Sequence, residues 1–218
     1  MDTKDKKFSV EEAVKIISDE SSKKFVEAID VAVNLGIDPI KTDQAVRGAT
    51  NLPHGSGKTY KVAVFAEGDE AKEAKDAGAD MVGMEDLADD MKKGNIDYDV
   101  IIATPETMRI VSPLGQILGP KGLMPNPKLG TVTNDISKAV KEAKAGQVEI
   151  RNDKDGNIGV SIGKKSFNDD QLLKNYNAIL DTLEKEKSNN TLKGDLIKST
   201  FITSTMGVSY KVKLAKNI

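Results

Sequence analysis

The segment Leu196-Ile-Lys-Ser-Thr-Phe-Ile-Thr-Ser-Thr-Met-Gly207 is dense in hydroxyls and β-branched side chains. Such a composition favours a strand. Ser and Thr can hydrogen-bond phosphate oxygens and 2′-hydroxyls, and a glycine lets a partner backbone come close. A strand of this kind ending at Met206-Gly207 is a candidate surface for a ribose-phosphate backbone. An edge strand whose hydroxyls simply face water fits the same residues. Beyond it, Val208, Tyr210, Val212 and Leu214 alternate with Ser209, Lys211 and Lys213, the period of a second, half-buried strand. The glycine between the two runs suggests a bulge or a close backbone approach.

Two further stretches carry chemistry that a phosphate could use. His54-Gly-Ser-Gly-Lys-Thr59 looks like the end of a phosphate loop, but that pattern needs Gly at position 52, where Leu52 stands. It also precedes a strand instead of following one, so it reads as a flexible crossing between domains. Gly119-Pro-Lys-Gly-Leu-Met-Pro-Asn-Pro-Lys-Leu-Gly130 holds three Pro, three Gly and two Lys, which makes a stiff loop of defined shape. Lys121 and Lys128 could meet phosphates there, or the loop could serve packing alone.

Catalytic constellations are missing. His54 is the single histidine and there is no Cys, so His-based triads, thiolate chemistry, disulfides and the usual metal sites have almost nothing to draw on. Carboxylate pairs such as Glu85-Asp86 and Asp89-Asp90 fall at helix starts and on helix faces, where a solvated surface explains them. No cofactor and no metal are expected. Aromatic residues are few and Trp is absent, which argues against a sheet that stacks bases on paired aromatics. Recognition of RNA would then rest on backbone, hydroxyl and shape contacts. Phe25, beside Lys23 and Lys24, is the one aromatic–basic cluster on the same domain as the opening strand.

A chain of 218 residues suffices for two ordinary domains or one large one. Its net charge of −2 argues, taken alone, against a nucleic-acid binder. The distribution says more. From Lys193 onward there are five Lys and one Asp, a local excess of +4, whereas Gly57 to Gly146 holds 12 basic and 15 acidic residues. No apolar run reaches the length of a membrane span and no signal peptide opens the chain, so a cytoplasmic, membrane-free protein is expected.

The elements that must position these residues follow from periodicity. Ser9-Val-Glu-Glu12 is a capping box that starts a helix running to about Asp19. Lys24 to Leu35 reads as a strand with Phe25, Ile29, Val31, Val33 and Leu35 in one phase. Glu27 falls in that apolar phase, so either the strand end projects beyond the core or the carboxylate has a partner. Val46 to Gly57 reads as a loop. Short strands at 61–66, 81–83, 99–104 and 130–133 then alternate with helices at 70–77, 86–93, 106–118 and 135–145, with Pro113 a candidate break in the third helix. That alternation means a parallel sheet with helices on its faces. Val148 to Asn152, the turn Asp153-Lys-Asp-Gly156 and Ile158 to Ile162 read as a hairpin. Leu172, Leu173, Tyr176, Ile179, Leu180 and Leu183 mark one face of an amphipathic helix. A loop at 188–191 leads into the hydroxyl-rich strand.

The expected fold is an α+β discontinuous domain, residues 1–56 and 147–218, with an inserted three-layer, Rossmann-like α/β domain at 57–146. Each flank is too small to close a core alone. Gly55, Gly57 and Gly146 lie in the two crossings and are candidate hinges, since glycine absorbs large φ/ψ changes. Two crossings side by side would restrict motion to opening and closing about one axis.

Lys24-Phe25, Asp38-Pro39, Asp43-Gln44, Val46-Arg-Gly48, Leu52-Pro-His-Gly55, Val82-Gly83, Leu118-Gly-Pro-Lys-Gly122, Met124-Pro-Asn-Pro-Lys128, Gly130-Thr131, Ala145-Gly146, Arg151-Asn-Asp-Lys154 and Thr205-Met-Gly207 stand in an order that resembles a known family. Over nearly its whole length the chain is similar to the L-one family of large-subunit ribosomal proteins, the stalk proteins beside the exit site, in its bacterial form. The resemblance implies binding of large-subunit rRNA through the discontinuous domain, with contacts from Lys24, Phe25, Glu27, Ser199, Thr205, Met206 and Gly207. Lys121, Lys128 and Lys154 are candidate secondary contacts. Ala28 stands where the family usually has Thr or Ser, and Val208 where it has Pro. The resemblance further implies a part in releasing exit-site tRNA, repression of translation of the protein's own mRNA, and a monomer when free. A nucleotide-binding enzyme on the inserted domain is the rival from another class, although no G-x-G-x-x-G follows its first strand. A plain protein-interaction module is the third reading.

Overall fold

Ser9 and Glu12 cap the first helix reciprocally. The Ser9 N–H donates to Glu12 Oε2 at 3.0 Å, and the Glu12 N–H donates to Ser9 Oγ at 3.2 Å. Two otherwise orphaned groups are thereby satisfied, and α1 runs over Val10–Glu20. Strands β1 (Ala28–Leu35) and β2 (Arg47–Asn51) follow. The middle of the chain is β3 (Val62–Phe65), α2 (Gly68–Asp76), β4 (Met81–Gly83), α3 (Glu85–Lys92), β5 (Val100–Ala103), α4 (Met108–Val111), α5 (Gly115–Leu118) and α6 (Ile136–Ala145). It closes with β6 (Gln147–Arg151), β7 (Asn157–Lys164), α7 (Asp169–Asn189), β8 (Ile197–Ser204) and β9 (Tyr210–Val212). The computed structural model describes residues 7–20, 24–38, 41, 44–189 and 194–213. The chain divides into two compact units, Met1–Gly57 with Val148–Ile218, and Lys58–Gln147.

The first unit is built on an antiparallel sheet of order β7-β1-β8-β9. Alternate residues of β1 (Ile29, Val31, Val33 and Leu35) are buried together with Leu172, Tyr176, Ile179 and Leu183 from one face of α7. That face is the sequence pattern at work: apolar positions three and four apart lie on one side of a helix. Truncating such a side chain, as in Leu172→Ala, costs about 2–5 kcal/mol. A second, two-stranded sheet pairs β2 with β6.

The second unit carries a parallel sheet of order β4-β3-β5. All four residues of β3 are buried, as a strand covered on both faces requires. Ala63, Phe65, Ile101 and Ala103 pack into one apolar layer with Leu87, Met91, Val111, Leu114 and Leu118. Val62, Val64 and Ile102 pack into the opposite layer with Ala74, Ile136 and Val140. The sheet is therefore the middle of three layers, the α/β arrangement that the alternating pattern predicted.

Several local expectations are corrected. The stretch 24–27 is not part of β1, which begins at Ala28. The loop expected from Val46 to Gly57 contains β2; Gly48, Ala49 and Asn51 are weak strand formers, and pairing with β6 overrides their local preference. The hairpin fails although its turn forms. Asp153 Oδ1 accepts the N–H groups of Asp155 and Asn157 at 2.9 and 2.7 Å. Beyond that turn β6 leaves to pair with β2, and β7 pairs with β1. The fourth short strand of the inserted unit shrinks to one bridge, Ala103 to Val132. The break named at Pro113 in the helix over 106–118 is present, as a 3-10 turn at Ser112–Leu114 where Pro113 has no N–H to donate. The last strand begins at Tyr210, leaving Val208 outside it. The hydroxyl-rich β8 is not an edge strand, since it lies between β1 and β9. Leu214, Pro39, Asp43, Lys23 and part of the 188–191 loop fall outside the described residues.

Candidate nucleic-acid interface

One end of the antiparallel sheet gathers most of the candidate contact residues. The chain leaves β8 at Ser204 and turns through Thr205, Met206 and Gly207 before entering β9. The Gly207 N–H donates to Ser204 O at 3.2 Å, which closes the turn. A Cβ on Gly207 would lie 2.4 Å from Ser204 Oγ, so only glycine fits here without displacement. The demand is steric, and it is the close approach that the sequence suggested.

This turn is fastened to Glu27 and Ala28, where β1 starts, by four bonds, the longest from Thr205 Oγ1 to Ala28 O at 3.4 Å. The Thr205 N–H donates to Ala28 O at 3.1 Å. The Ala28 N–H donates to Thr205 Oγ1 at 3.0 Å. The Met206 N–H donates to Glu27 Oε2 at 3.3 Å. Glu27 is only 1% exposed, among the few buried charged or polar residues. Its presence in the apolar phase is thus explained: the residue turns inward, and its carboxylate supports the Met206–Gly207 turn from beneath. A buried carboxylate is retained only where donors offset its lost hydration.

Above Glu27 the surface is apolar. Phe25, Val26, Met206 and Val208 are 49%, 58%, 76% and 56% exposed. They are four of the five large hydrophobic side chains that the described residues leave in solvent. Large apolar side chains gathered in solvent are the kind of surface on which partners dock. Lys24 is exposed beside it, as is Thr205. Val26 and Val208 were not singled out as contacts from sequence. A signal existed: Val26 is a large apolar residue in the polar phase of the β1 pattern.

Ser199 is not part of this cluster. It is half-buried on β8 opposite Asn34, toward the far end of the strand, and shares its outward face with Phe201 and Thr203. Lys121 is exposed in a turn of the other unit, and Lys128 stands in a 3-10 turn there at Pro127–Leu129. Lys154 lies in the first unit near the opposite end of the sheet, in the turn before β7.

The three glycines of the crossings all adopt positive φ: 67° at Gly55, 73° at Gly57 and 100° at Gly146. Two of them are held. The Asn175 Nδ2 donates to Gly55 O at 2.8 Å and to Ile162 O at 2.7 Å, while Asn175 Oδ1 accepts the His54 N–H at 3.1 Å. Asn175 is fully buried on α7, so this clamp fixes 54–55 to the first unit. Gly57 packs against the Phe167 ring, where a Cβ would approach to 3.1 Å. Gly146 is the left-handed C-cap of α6.

Beyond the turn, Phe8 meets the Tyr210 ring edge-on with centroids 5.4 Å apart. The Tyr210 hydroxyl donates to the Glu20 carboxylate. That bond, aided by burial, pushes the tyrosine pKa up to about 12. Among the described residues no group of His, Cys, Asp and Glu could hold a metal ion.

The profile of the "Ribosomal protein L1p/L10e family" matches residues 17–208. The chain belongs to that family. Curated relatives agree. The chain is 59% identical to the large ribosomal subunit protein uL1 of Pelagibacter ubique, over 96% of this chain and 91% of the relative. It is 58% identical to that of Francisella philomiragia, over 95% and 90%, and 54% identical to that of Actinobacillus succinogenes, over 95% and 90%. Membership in the L1p/L10e family makes this a structural protein of the large ribosomal subunit and not an enzyme. The Thr205-Met-Gly207 turn and most of the surrounding patch fall inside the matched region.

Proposed function

We propose that the protein grips folded large-subunit rRNA with the end of the sheet formed by Lys24, Phe25, Thr205, Met206 and Gly207. Glu27 acts from beneath by holding the Met206 turn in place. The observation that carries this reading is the exposed apolar patch fastened over a buried carboxylate. RNA recognition that avoids the deep groove of a duplex relies on apolar and hydroxyl contacts to sugars and unstacked bases. Phe25 and Met206 offer the apolar surface, and the turn, whose N–H groups and Thr205 hydroxyl are bonded internally, offers its carbonyls as acceptors for 2′-hydroxyls. Ser199 extends the contact along β8, and Lys121, Lys128 and Lys154 are secondary phosphate contacts. The discontinuous unit, residues 1–56 with 147–218, is the RNA-binding domain, and 57–146 is the insertion.

On this reading the protein forms part of a mobile stalk that assists release of exit-site tRNA. When free it is a monomer that represses translation of its own mRNA by binding a copy of the ribosomal site. The crossing glycines supply the mobility; with Gly55 clamped by Asn175 and Gly57 packed on Phe167, the yielding residues on this reading are those after Gly57, and Gly146. Fluorescence anisotropy with a fragment of large-subunit rRNA, across a salt series, tests the proposal. Tight binding that Thr205→Val and Met206→Asp each weaken about tenfold or more is expected, a loss of roughly 1–3 kcal/mol. Unchanged affinity in both variants with intact folding would overturn the assignment.

A further inference from the structure

The two-stranded sheet of β2 and β6 carries a second site. Ala45, Val46, Arg47, Arg151, Asn152, Asp153 and Lys154 line an open cavity of about 630 Å³. Three of these residues are cationic, and the acceptors among them are already engaged. Asp153 accepts the backbone donors of its own turn, chiefly the Asn157 N–H, which hold its carboxyl below the usual carboxylate range. The Asn152 Oδ1 accepts the Val46 N–H at 2.9 Å, and its Nδ2 donates to Asp153 O at 2.9 Å. Arg47 is ion-paired with Glu149, whose Oε1 lies 3.3 Å from Nε without forming a hydrogen bond, so the buried Nε–H is left without an acceptor. Arg151 and Lys154 are exposed and have no ion-pair partner among the described residues. The cavity therefore offers donors and a net positive lining, with the three cations outweighing the one carboxylate of Asp153.

We propose that this cavity binds the phosphate backbone of RNA, as an anchor separate from the Thr205–Gly207 turn. Arg47 and Arg151 present planar donor forks that match phosphate oxygens, and Lys154 adds a point charge. A buried small-molecule site would need enclosing apolar walls; this cavity is an open trough with cations on its rim, which suits a polymer that runs through. Its position makes it independent. Ala28 at the start of β1 holds the Thr205 turn, whereas the Leu35 N–H at the end of β1 donates to Gly156 O in the turn that carries Lys154. The two sites are thus one strand length apart, on the order of 20 Å at about 3.3 Å per residue. The inference rests on the reading that this unit binds RNA, and it assigns a different job to each end. The patch at the turn recognises a particular RNA surface, and the cation trough binds phosphates without regard to sequence.

The test uses the full chain and two RNAs: the large-subunit rRNA fragment and an unrelated duplex RNA. Arg151→Gln combined with Lys154→Gln should abolish binding of the unrelated RNA at low salt. On the rRNA fragment it should lower the salt slope by roughly one to two contacts, at about 0.9 or less per phosphate, and weaken binding several-fold. Thr205→Val should weaken the rRNA fragment and leave the unrelated RNA unchanged. Both altered residues are exposed, and a matching thermal melt confirms the fold. A wild-type chain that ignores unrelated RNA, or a double variant with unaltered slope on both RNAs, would overturn the proposal. Amide shifts at Arg151 and Lys154 with inorganic phosphate, alongside unaltered RNA binding, would make the trough a site for small anions and overturn it equally. Failure of the rRNA-specific reading shows separately, as loss of any preference of the wild type for the rRNA fragment.

Discussion

The two units present opposite chemistry at the places where each could take a ligand. At the end of its antiparallel sheet, the first unit exposes Phe25, Val26, Met206 and Val208 over a turn. In the second unit, the place where α/β sheets usually bind ligands is the crevice beyond the carboxyl ends of the strands. Here that crevice is a cavity of about 370 Å³ lined by Glu67, Met84, Glu85, Asp86 and Ile110. Three carboxylates at the mouth repel phosphate, and a nucleotide would find no glycine-rich turn to cradle it. The fold most often associated with nucleotides is thus the acidic one, and the larger α+β unit carries the features that suit RNA. Fold alone would point to the second unit, against the charge that lines its crevice.

Placing a charge in the apolar patch should have the largest effect. Met206→Asp puts a carboxylate where an RNA backbone would approach, directly above buried Glu27, and should lower rRNA-fragment affinity roughly 10- to 100-fold. Because Met206 is 76% exposed, the melting temperature should barely move. Equal losses of affinity and stability would mean that the patch is structural.

Next come changes that dismantle the turn from below. Glu27→Ala leaves the Met206 N–H without its acceptor, at a cost of roughly 1–3 kcal/mol in stability. Gly207→Ala forces the turn away from Ser204 Oγ and should cost a similar amount, about 1–3 kcal/mol. Denaturant midpoints measure both, and each variant should also bind the rRNA fragment more weakly. Gly94→Ala, in a left-handed position of the second unit with open space around it, should strain its own backbone and leave RNA binding intact.

Smaller effects separate the units by pH. In the second unit, Asp99 is held below the usual range first by the Lys58 ammonium, which donates to it, and Asp80 first by the Val62 N–H. Carboxyls with depressed folded values stabilise above their unfolded value of about 3.9, and that stability is lost as pH falls through the folded value. An acid titration of the melting temperature should therefore decline below about pH 4, and Asp99→Asn should flatten the decline. In the first unit, Tyr210 behaves with the opposite sign. Its folded value of about 12 means that its contribution is present below about pH 10 and is lost as pH rises toward 12. Tyr210→Phe should remove that alkaline loss. Smallest of all is the effect of nucleotides, which should leave the melting temperature of the full chain unchanged at millimolar concentration; a rise would restore the enzyme reading of the second unit.

Much of this was legible in the sequence because it is local. The alternation of short apolar runs with helices that stop at glycine specified the three-layer unit, and the capping box at Ser9–Glu12 formed as written. Glu27 announced itself by sitting in an apolar phase. What was hidden depends on partners distant in sequence. β2 is a weak strand by composition and exists because β6 pairs with it. The turn at Asp153–Gly156 looks the same whether its flanking strands pair with each other or separate. Asn175 reads as an ordinary polar residue of a helix, and only its burial against the His54–Gly55 backbone reveals the clamp. Arg47 and Arg151 could not be seen as one site until their strands were adjacent.

The central claim is that RNA recognition resides in the discontinuous unit, at the turn of Thr205–Gly207. The most direct measurement replaces Lys58–Gln147 with a short Gly/Ser linker and titrates the rRNA fragment, with circular dichroism to establish folding. The account predicts affinity within a few-fold of the full chain, and loss of that affinity on adding Met206→Asp. A folded variant that has lost nearly all affinity would contradict it, because recognition would then depend on the inserted unit.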